Sequence, residues 1–262
     1  MKPDIKHGAE ASGRFASFRA DGMREKIFSM AVLAIVMAGC TTTKDPASLA
    51  QNDPYEPTNR AISDFNTKID NNFAKPVAKF YNHAVPQFAR DGVHNFLTNL
   101  NKPVTLGNDI LQGEGERAGQ TVARFTVNTT LGVGGLVDVA TRIGIPDHSE
   151  DFGQTLGTYG VGEGPYLVLP LMGPDPPRDL AGDVVDIFMD PLTYVRFHGS
   201  DTWSAVRGGA GVLDLRARNV DTVDQIERSS IDFYATTRSL YRQHRNAEIR
   251  NGAPDTENLP NL

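Results

Sequence analysis

The sequence has a single cysteine, Cys40, in 262 residues, so disulfide bonds within the chain and cysteine-cluster zinc sites are excluded. It has no excess of positive charge: 26 Lys and Arg against 32 Asp and Glu give a net charge of −6, which argues against broad nucleic-acid binding. No apolar run reaches the roughly 18–20 residues of a membrane-spanning helix. With 39% hydrophobic and 22% charged residues, neither a disordered polyelectrolyte nor a multi-span membrane protein is expected.

Motifs of familiar catalytic and cofactor sites are also missing. The histidines form no HExxH motif and no pair at the i, i+3 or i+4 spacing of a helix-borne metal site. There is no GxSxG motif, and the glycines of 160–164 match no dinucleotide or P-loop pattern. The segment His148–Asp151 offers metal-binding or acid–base groups, but a solvated turn is the preferred interpretation. We therefore predict no catalytic residues, no metal and no other cofactor.

The one cysteine closes a segment typical of a bacterial lipoprotein signal. Arg24 and Lys26 precede a 13-residue uncharged run, Ile27–Gly39, as in a secretory signal peptide. Met37-Ala-Gly-Cys40 resembles a lipobox, in which the cysteine becomes the lipidated first residue, although Leu is usual where Met37 stands. The alternative is a buried structural cysteine after a short core helix, but the polar residues that follow leave such a helix nothing to pack against.

Residues 1–39 are therefore predicted to be a signal-peptide region. Within it, Met23 begins a well-proportioned signal, whereas Met1–Gly22 carries three acidic residues and fits neither a signal nor a domain. We predict that translation starts at Met23.

The predicted mature chain begins at Cys40 with a lipidated flexible tether over residues 40–52. Thr41 follows the cysteine, and the absence of Asp at that place favours the outer membrane over the inner one. Acyl chains on Cys40 would anchor the protein without spanning the bilayer.

From Asp53 onward, apolar residues recur at helical spacing and predict amphipathic helices of 8–15 residues. Prolines are expected to end or kink these helices, notably Pro76 and Pro103. A later helix is predicted over Ser230–Arg250. Its apolar side chains are expected inward and its arginines outward, the latter being Arg238, Arg242, Arg245 and Arg250.

A stripe of acidic residues accompanies the helix that follows Pro177. Because a charged stripe is usually a solvated helix face, this is preferred over a metal site. The stripe comprises Asp175, Asp179, Asp183, Asp186 and Asp190.

Glycine is concentrated in the middle of the chain, where 14 of the 25 glycines lie between Asn101 and Pro177. Two apolar, glycine-rich segments stand out there, Leu131–Ala140 and Gly160–Gly173, and neither is long enough to span a bilayer. Glycine lets backbones approach closely, as between helices in lipid. Each segment is consistent with a membrane-interface position and equally with a tight buried turn in a soluble core.

An ordered set of motifs resembles the VacJ/MlaA family of lipoproteins. The strings are Asp53-Pro-Tyr-Glu-Pro-Thr-Asn-Arg60, Asp64-Phe-Asn66, Lys75-Pro-Val77, Asn95-Phe-Leu-Thr-Asn-Leu100, Pro103-Val104, Asn108-Asp-Ile-Leu-Gln-Gly113, Arg124-Phe125, Asn128-Thr-Thr-Leu-Gly-Val-Gly-Gly-Leu-Val-Asp-Val-Ala140, Glu150-Asp-Phe-Gly-Gln-Thr-Leu-Gly157, Gly164-Pro-Tyr-Leu-Val-Leu-Pro-Leu171 and Arg178-Asp179. Their order and spacing match over about 53–195 and more weakly to about 250, and the lipobox fits independently.

The resemblance implies an all-α fold, a ring-like bundle of short amphipathic helices around a central channel, lying in one membrane leaflet. We expect a single domain over residues 53–250 and a polar tail over 251–262. The implied protein is a lipoprotein anchored in the periplasmic leaflet of the outer membrane. It would remove mislocalised phospholipids from the outer leaflet and pass them toward the inner membrane. The implied partners are phospholipid, a trimeric outer-membrane porin and a soluble periplasmic phospholipid carrier, but no nucleic acid.

Three groups of residues are assigned roles on this basis. Cys40 is the lipid anchor, and a hinge or close-packing role near the channel is assigned to Gly132, Gly134 and Gly135. The membrane-facing rim is assigned to Tyr166, Leu167, Val168, Leu169 and Leu171.

Two other functions remain as alternatives: a non-catalytic outer-membrane scaffold, and a lipid- or wall-acting hydrolase. An interior amphipathic cavity would favour transport over the scaffold. Buried and convergent acid, base and nucleophile side chains would favour the hydrolase.

Overall fold

A computed structural model describes residues 42–253. The predicted signal region with Met23, the anchor Cys40 and residues 254–262 of the predicted tail lie outside the described residues. The helices of this range are α1 (Pro46–Ala50), α2 (Glu56–Ile69), α3 (Lys75–Ala84), α4 (Gln87–Gln112), α5 (Gly115–Thr130), α6 (Val139–Arg142), α7 (Phe152–Thr158), α8 (Pro177–Met189), α9 (Ser200–Arg218), α10 (Val220–Ser229) and α11 (Phe233–Ile249).

The strands of this range are short, and they form one antiparallel pair. Strand β1 (Val168–Leu169) pairs with β2 (Gly173–Pro174). The predicted all-α class is therefore confirmed. Across residues 42–253, no helix combines the length and the apolarity needed to cross a membrane.

Helices α2 and α3 form one helix interrupted near Pro76. A π-helical turn, Asp70–Ala74, joins them, and Pro76 is the second residue of α3. Proline lacks a backbone N–H and its ring clashes with the preceding turn, so a local change of helical type accommodates it. The predicted irregularity at this proline is confirmed.

Helix α4 runs through Pro103 for 26 residues, so the prediction of separate helices on either side of that proline is wrong. The buried side chain of Lys102 donates to Asp147 Oδ1 and to the His148 carbonyl, both at 2.6 Å. Tertiary contacts next to the proline thus offset the one helical hydrogen bond that proline removes.

Helix α4 packs against α5, α7, α8 and α9. Helices α7 and α8 come especially close because Gly153 faces Gly182. A Cβ on Gly182 would lie 2.3 Å from the backbone nitrogen of Gly153. Helix α11 packs on α7, so α7, α8 and α11 form one group.

The first described residues, 42–52, are not the flexible tether that was predicted. They contain α1, whose first turn is capped by Asp45, since its carboxylate accepts from Ala47 N at 3.1 Å. The Asn52 side chain donates to the Gly164 carbonyl at 2.6 Å. These contacts dock the segment on the rest of the protein.

The distribution of side chains is inverted relative to that of a water-soluble protein. Among the described residues, buried polar and charged side chains outnumber buried hydrophobic ones by two to one. Large hydrophobic side chains are exposed along most helices, including Phe80 at 70% and Phe88 at 80%. Water-soluble monomers rarely expose large apolar patches, so an exterior of this kind marks contact with a membrane or a partner.

Candidate functional site

The extended segment that leads into the β1–β2 hairpin is held by asparagines of α2. The Asn59 amide donates to the Tyr166 carbonyl at 2.9 Å and to Asp53 Oδ1 at 2.8 Å, and it accepts from Val168 N at 3.0 Å. An amide side chain carries a donor and an acceptor together, so it can satisfy buried backbone groups much as a neighbouring strand does.

Asn66 repeats this arrangement two helical turns later. It donates to the Leu169 carbonyl at 2.9 Å and accepts from Leu171 N at 2.8 Å. Asn59 and Asn66 are seven residues apart and therefore lie on one face of α2. That spacing is a sequence signal that could have marked this face of α2 as one that binds another backbone segment.

The structure contradicts the predicted membrane-facing rim for four of its five residues. Tyr166, Leu167, Val168 and Leu169 are buried, whereas Leu171 is 71% exposed. Tyr166 lies edge-on to Tyr234 and Tyr241 of α11. The apolar run is therefore internal because α2 and α11 cover it, and only the hairpin tip keeps the predicted exposure.

A buried carboxylate, Asp53, ties this segment to α11. It accepts hydrogen bonds from Tyr234 Oη and Arg238 Nη1, both at 2.5 Å. Arg238 is buried, contrary to the prediction that the arginines of this helix point outward. In a protein with an apolar exterior, the charged face of a helix turns inward, where its charges are paired.

A cavity of about 340 Å³ lies between the hairpin and helices α2, α9, α10 and α11. We call it the amphipathic cavity. Its lining includes the apolar side chains of Val168, Met172, Val223 and Phe233 and the polar ones of Ser63, Thr67, Asp70, Arg216 and Glu227. Its volume falls within the range of ligand pockets. The mixed wall suits a ligand with an apolar and a charged part.

Arg216, which lines this cavity, carries a donor with no protein partner. Its Nε and Nη2 atoms donate to Asp70 at 2.7 and 2.8 Å, and Nη2 lies 3.7 Å from Asp224 Oδ1. Nη1 is buried without an acceptor among the described residues. Buried guanidinium nitrogens are normally hydrogen-bonded, so this one has an unmet need for an acceptor.

A second cavity of about 200 Å³ lies beside α7, α8 and α11, and we call it the acidic cavity. Its lining comprises Asp151, Asp175, Asp179, Asp183, Tyr241, His244, Arg245 and Glu248, together with Met172 and Pro174. Met172 and Pro174 also line the amphipathic cavity. The hairpin tip is therefore a wall that the two cavities share.

Arg245 is the principal cation of the acidic cavity, and it is fully engaged. It bonds both carboxylate oxygens of Asp151 at 2.6 Å, Asp179 Oδ1 at 3.0 Å and Glu248 Oε2 at 3.2 Å. Burial opposes its charge, but the carboxylates of Asp151 and Asp179 raise the pKa of Arg245. Like Arg238, it points inward rather than outward.

Two carboxyl groups of the acidic cavity have no such pairing. Asp175 is only 6% exposed, and its Oδ2 accepts no hydrogen bond from any described group. Burial, with the negative charges of Asp183 and Asp179, raises the pKa of Asp175 to about 7. Burial, with the charges of Asp151 and Asp186, raises the pKa of Asp183 to about 6.

The prediction of a solvated acidic stripe is wrong for Asp175 and Asp179, which are buried beside α7 and α11, whereas Asp183 is exposed as predicted. Within the described part of the chain, no group of three His, Cys, Asp or Glu residues is arranged to hold a metal ion.

The segment at His148 is not a solvated turn either. Glu150 is buried and accepts a hydrogen bond from Arg117. His148 Nε2 lies 3.0 Å from Thr121 Oγ1 and 3.0 Å from Asp109 Oδ1. Thr121 donates to Asp109 at 2.7 Å and is itself buried. One imidazole nitrogen faces both partners, so these groups form a structural network and not the nucleophile–base–orienter chain that a hydrolase requires.

The predicted hinge glycines form the tight turn that follows α5. Gly134 and Gly135 have φ of +70° and +95°, a region that favours glycine. A Cβ on Gly135 would lie 2.7 Å from the Asn99 side chain, and one on Gly132 would lie 2.1 Å from a backbone carbonyl. Close packing thus accounts for Gly132 and Gly135, and the hinge role stays a prediction. None of the three lines either cavity.

An all-α chain with an apolar exterior, a polar interior and an amphipathic cavity has the features of a membrane-associated protein that handles an amphipathic ligand. The sequence model of the MlaA lipoprotein family matches residues 51–248. The chain belongs to the MlaA lipoprotein family, and the predicted resemblance is confirmed.

Two relatives carry the same family name. The intermembrane phospholipid transport system lipoprotein MlaA of Haemophilus influenzae is 34% identical over 91% of this chain and 97% of its own length. The protein of the same name from Escherichia coli is 32% identical over 91% of this chain and 94% of its own. A solved structure described as "Structural basis for maintenance of bacterial outer membrane lipid asymmetry" is 36% identical. It superposes with a TM-score of 0.67 over 75% of this chain and 98% of the other.

Proposed function

We propose that this chain removes mislocalised phospholipids from the outer leaflet of the outer membrane and passes them toward the inner membrane. The observation that carries this proposal is the inverted distribution of side chains around an amphipathic cavity. The exterior matches the acyl region of a leaflet, and the mixed wall of the cavity matches a lipid that must bring a charged headgroup with it. The named transport function of the relatives supports the same conclusion.

In this proposal the apolar and the polar parts of the cavity wall bind different parts of the lipid. Apolar side chains such as Val168, Val223 and Phe233 contact acyl chains, which removes those chains from water. The free Nη1 of Arg216 donates to the phosphate that all glycerophospholipids share. The protein thereby accepts a lipid without breaking any bond in it.

We propose further that residues 53–250 act as one unit around a central channel and that Cys40 carries the acyl anchor. The anchor would hold the unit in the periplasmic leaflet of the outer membrane. A trimeric porin and a soluble periplasmic carrier are the proposed protein partners. The sequence carries no nucleotide-binding motif, so the direction of lipid transport must come from outside the chain. We assign the hinge role to the glycine turn after α5, which contains Gly132, Gly134 and Gly135.

The scaffold alternative has one observation in its favour, the large apolar exterior, which a partner protein could also cover. It does not account for a cavity with a buried and unused guanidinium donor. Transport accounts for both features.

Deletion of the gene tests the proposal. Surface aminophospholipid should rise, measured on intact cells with an amine reagent that does not cross membranes, and the wild-type gene should restore the original level. Unchanged labelling in the deletion strain would contradict transport and leave the scaffold alternative. Separately, a Cys40→Ala variant should leave the membrane pellet after a salt wash; retention in the pellet would show that the acyl chains are not the main attachment.

A further inference from the structure

The acidic cavity holds more negative charge than its own cations can neutralise. Arg245 already donates hydrogen bonds to Asp151, Asp179 and Glu248. Asp179 also accepts from Arg178 Nε at 2.9 Å and from Tyr241 Oη at 2.7 Å. The hydrogen-bonding capacity of these groups is directed at one another, so they offer little to a ligand.

Asp175 and Asp183 differ from those acids in having no salt bridge with any described group. Asp175 lines the cavity with 94% of its surface buried, and its Oδ2 lacks a donor. Burying an acceptor without a donor costs free energy, and native proteins rarely leave one so. A ligand that donates hydrogen bonds and carries positive charge would satisfy the buried Asp175, and the exposed Asp183 would add a second negative charge on the same cavity wall.

The other groups around the cavity favour an ammonium group as that ligand. Tyr241 adds an aromatic ring, and ring faces attract ammonium groups. His244 is mostly exposed and pairs with Glu248 at 3.1 Å, so it does not neutralise Asp175 or Asp183. Met172 and Pro174 line both cavities, so the acidic cavity is the direct neighbour of the amphipathic one, whose lining includes Arg216.

We infer that the acidic cavity is a headgroup subsite that binds the ammonium of zwitterionic phospholipids, with Asp175 and Asp183 as its acceptors. This inference rests on the proposed function, because it assumes that a phospholipid enters the neighbouring amphipathic cavity. It adds a selectivity to that function: lipids with an ammonium headgroup are preferred over those with an uncharged glycerol headgroup.

The test measures binding of soluble short-chain lipids to the full-length mature chain in detergent at pH 8, by isothermal titration calorimetry. The probes are dihexanoyl-phosphatidylethanolamine, dihexanoyl-phosphatidylglycerol and free ethanolamine. Wild-type protein should bind the ethanolamine lipid about tenfold more tightly than the glycerol lipid, as expected for a charged hydrogen bond. Asp175→Asn should reduce that ratio toward one without weakening binding of the glycerol lipid.

Two further variants separate the subsite from a general effect on folding. Asp183→Lys should invert the preference, an outcome that misfolding does not produce. Asp201→Asn changes an exposed carboxylate at the start of α9, outside both cavity linings, and should keep the wild-type ratio.

Equal binding of both lipids by wild-type protein would overturn the subsite and leave the proposed function intact. Failure to bind either lipid would count against the proposed function itself. Free ethanolamine binding as tightly as the ethanolamine lipid would show that the cavity serves soluble amines, which also overturns a lipid subsite.

Discussion

The amphipathic and acidic cavities share the hairpin tip as a wall, yet they treat charge in opposite ways. In the amphipathic cavity, Arg216 is paired with Asp70 and lies near Asp224, and it keeps one donor without an acceptor beside a wall that is partly apolar. In the acidic cavity, one arginine is shared among three carboxylates, and Asp175 keeps a free acceptor. One cavity therefore has room for an anion with apolar chains attached, and the other for a cation. The difference matches the two halves of a zwitterionic lipid.

The largest expected effect comes from removing the wall that separates the cavities. Asn59→Ala leaves the Tyr166 carbonyl and the Val168 amide without their partner, so the free energy of unfolding should fall by about 3 kcal/mol. Denaturant titration in detergent micelles measures it. Asn72→Ala is the matched control, since that side chain is exposed and donates only to the Lys68 carbonyl. Equal stabilities for the two variants would show that the hairpin does not depend on Asn59.

Filling the amphipathic cavity should act on binding. Thr237 lines it, so Thr237→Trp places an indole where the ligand would lie. We expect affinity for short-chain phospholipids to fall about tenfold for every headgroup alike, which corresponds to about 1.4 kcal/mol. Thr126→Trp adds the same side chain on an exposed helical position outside both cavities. Equal lipid binding by Thr237→Trp and Thr126→Trp would contradict the assignment of the amphipathic cavity as the lipid site.

The acidic cavity should make the stability of the protein depend on pH. The pKa of Asp175 is about 7 in the folded chain, above its ordinary value of 3.8, so the folded state binds more protons than the unfolded state between those values. The free energy of unfolding therefore falls as pH rises from about 4 to about 7. Asp175→Asn removes this titration, so its Tm should exceed that of wild type by a few degrees at pH 8 and match it near pH 4. If the Tm difference between Asp175→Asn and wild type did not change with pH, Asp175 would either be exposed or be paired with a cation.

A smaller effect of the same sign is expected at Asp183, which is more exposed than Asp175 and therefore better solvated. Burial and neighbouring carboxylates raise the pKa of Asp183 to about 6 from 3.8. The advantage of Asp183→Asn should thus appear between about pH 4 and pH 6 in the same melting experiment. A gain in Tm larger than that of Asp175→Asn would contradict the conclusion that Asp175 is the more buried of the two.

Amphipathic periodicity predicted the helices but not which face turns inward. The apolar faces of α3 and α4 lie partly exposed at Phe80 and Phe88, and the arginines of α11 lie inside. Periodicity measures the separation of apolar from polar side chains, and it is the same whether the surroundings are water or lipid. The prediction for α11 was therefore right for its helical nature and for the inward Tyr234 and Tyr241, and wrong for the inward Arg238 and Arg245.

The two glycine-rich segments show the same limit at the level of the site. An apolar run can be covered by lipid or by protein, and composition does not distinguish the two cases. In the second segment, Tyr166–Leu169 is covered by protein because asparagines far away in the sequence satisfy its backbone. The acidic cavity likewise depends on α8 meeting α11, a contact between residues about sixty positions apart that local spacing does not encode.

The central claim is that phospholipid leaves the leaflet through the amphipathic cavity. Its most direct test places a photo-crosslinking amino acid at position 67, which lines that cavity, in cells whose phospholipids carry radioactive phosphate. Illumination should attach labelled phospholipid to the protein at position 67. Position 126, on the exposed surface of α5, serves as the reference for ordinary contact with the leaflet. The account predicts that filling the cavity with Thr237→Trp sharply lowers labelling at position 67 and leaves position 126 unchanged. Undiminished labelling at position 67 in the filled variant, or none in the wild type, would contradict it.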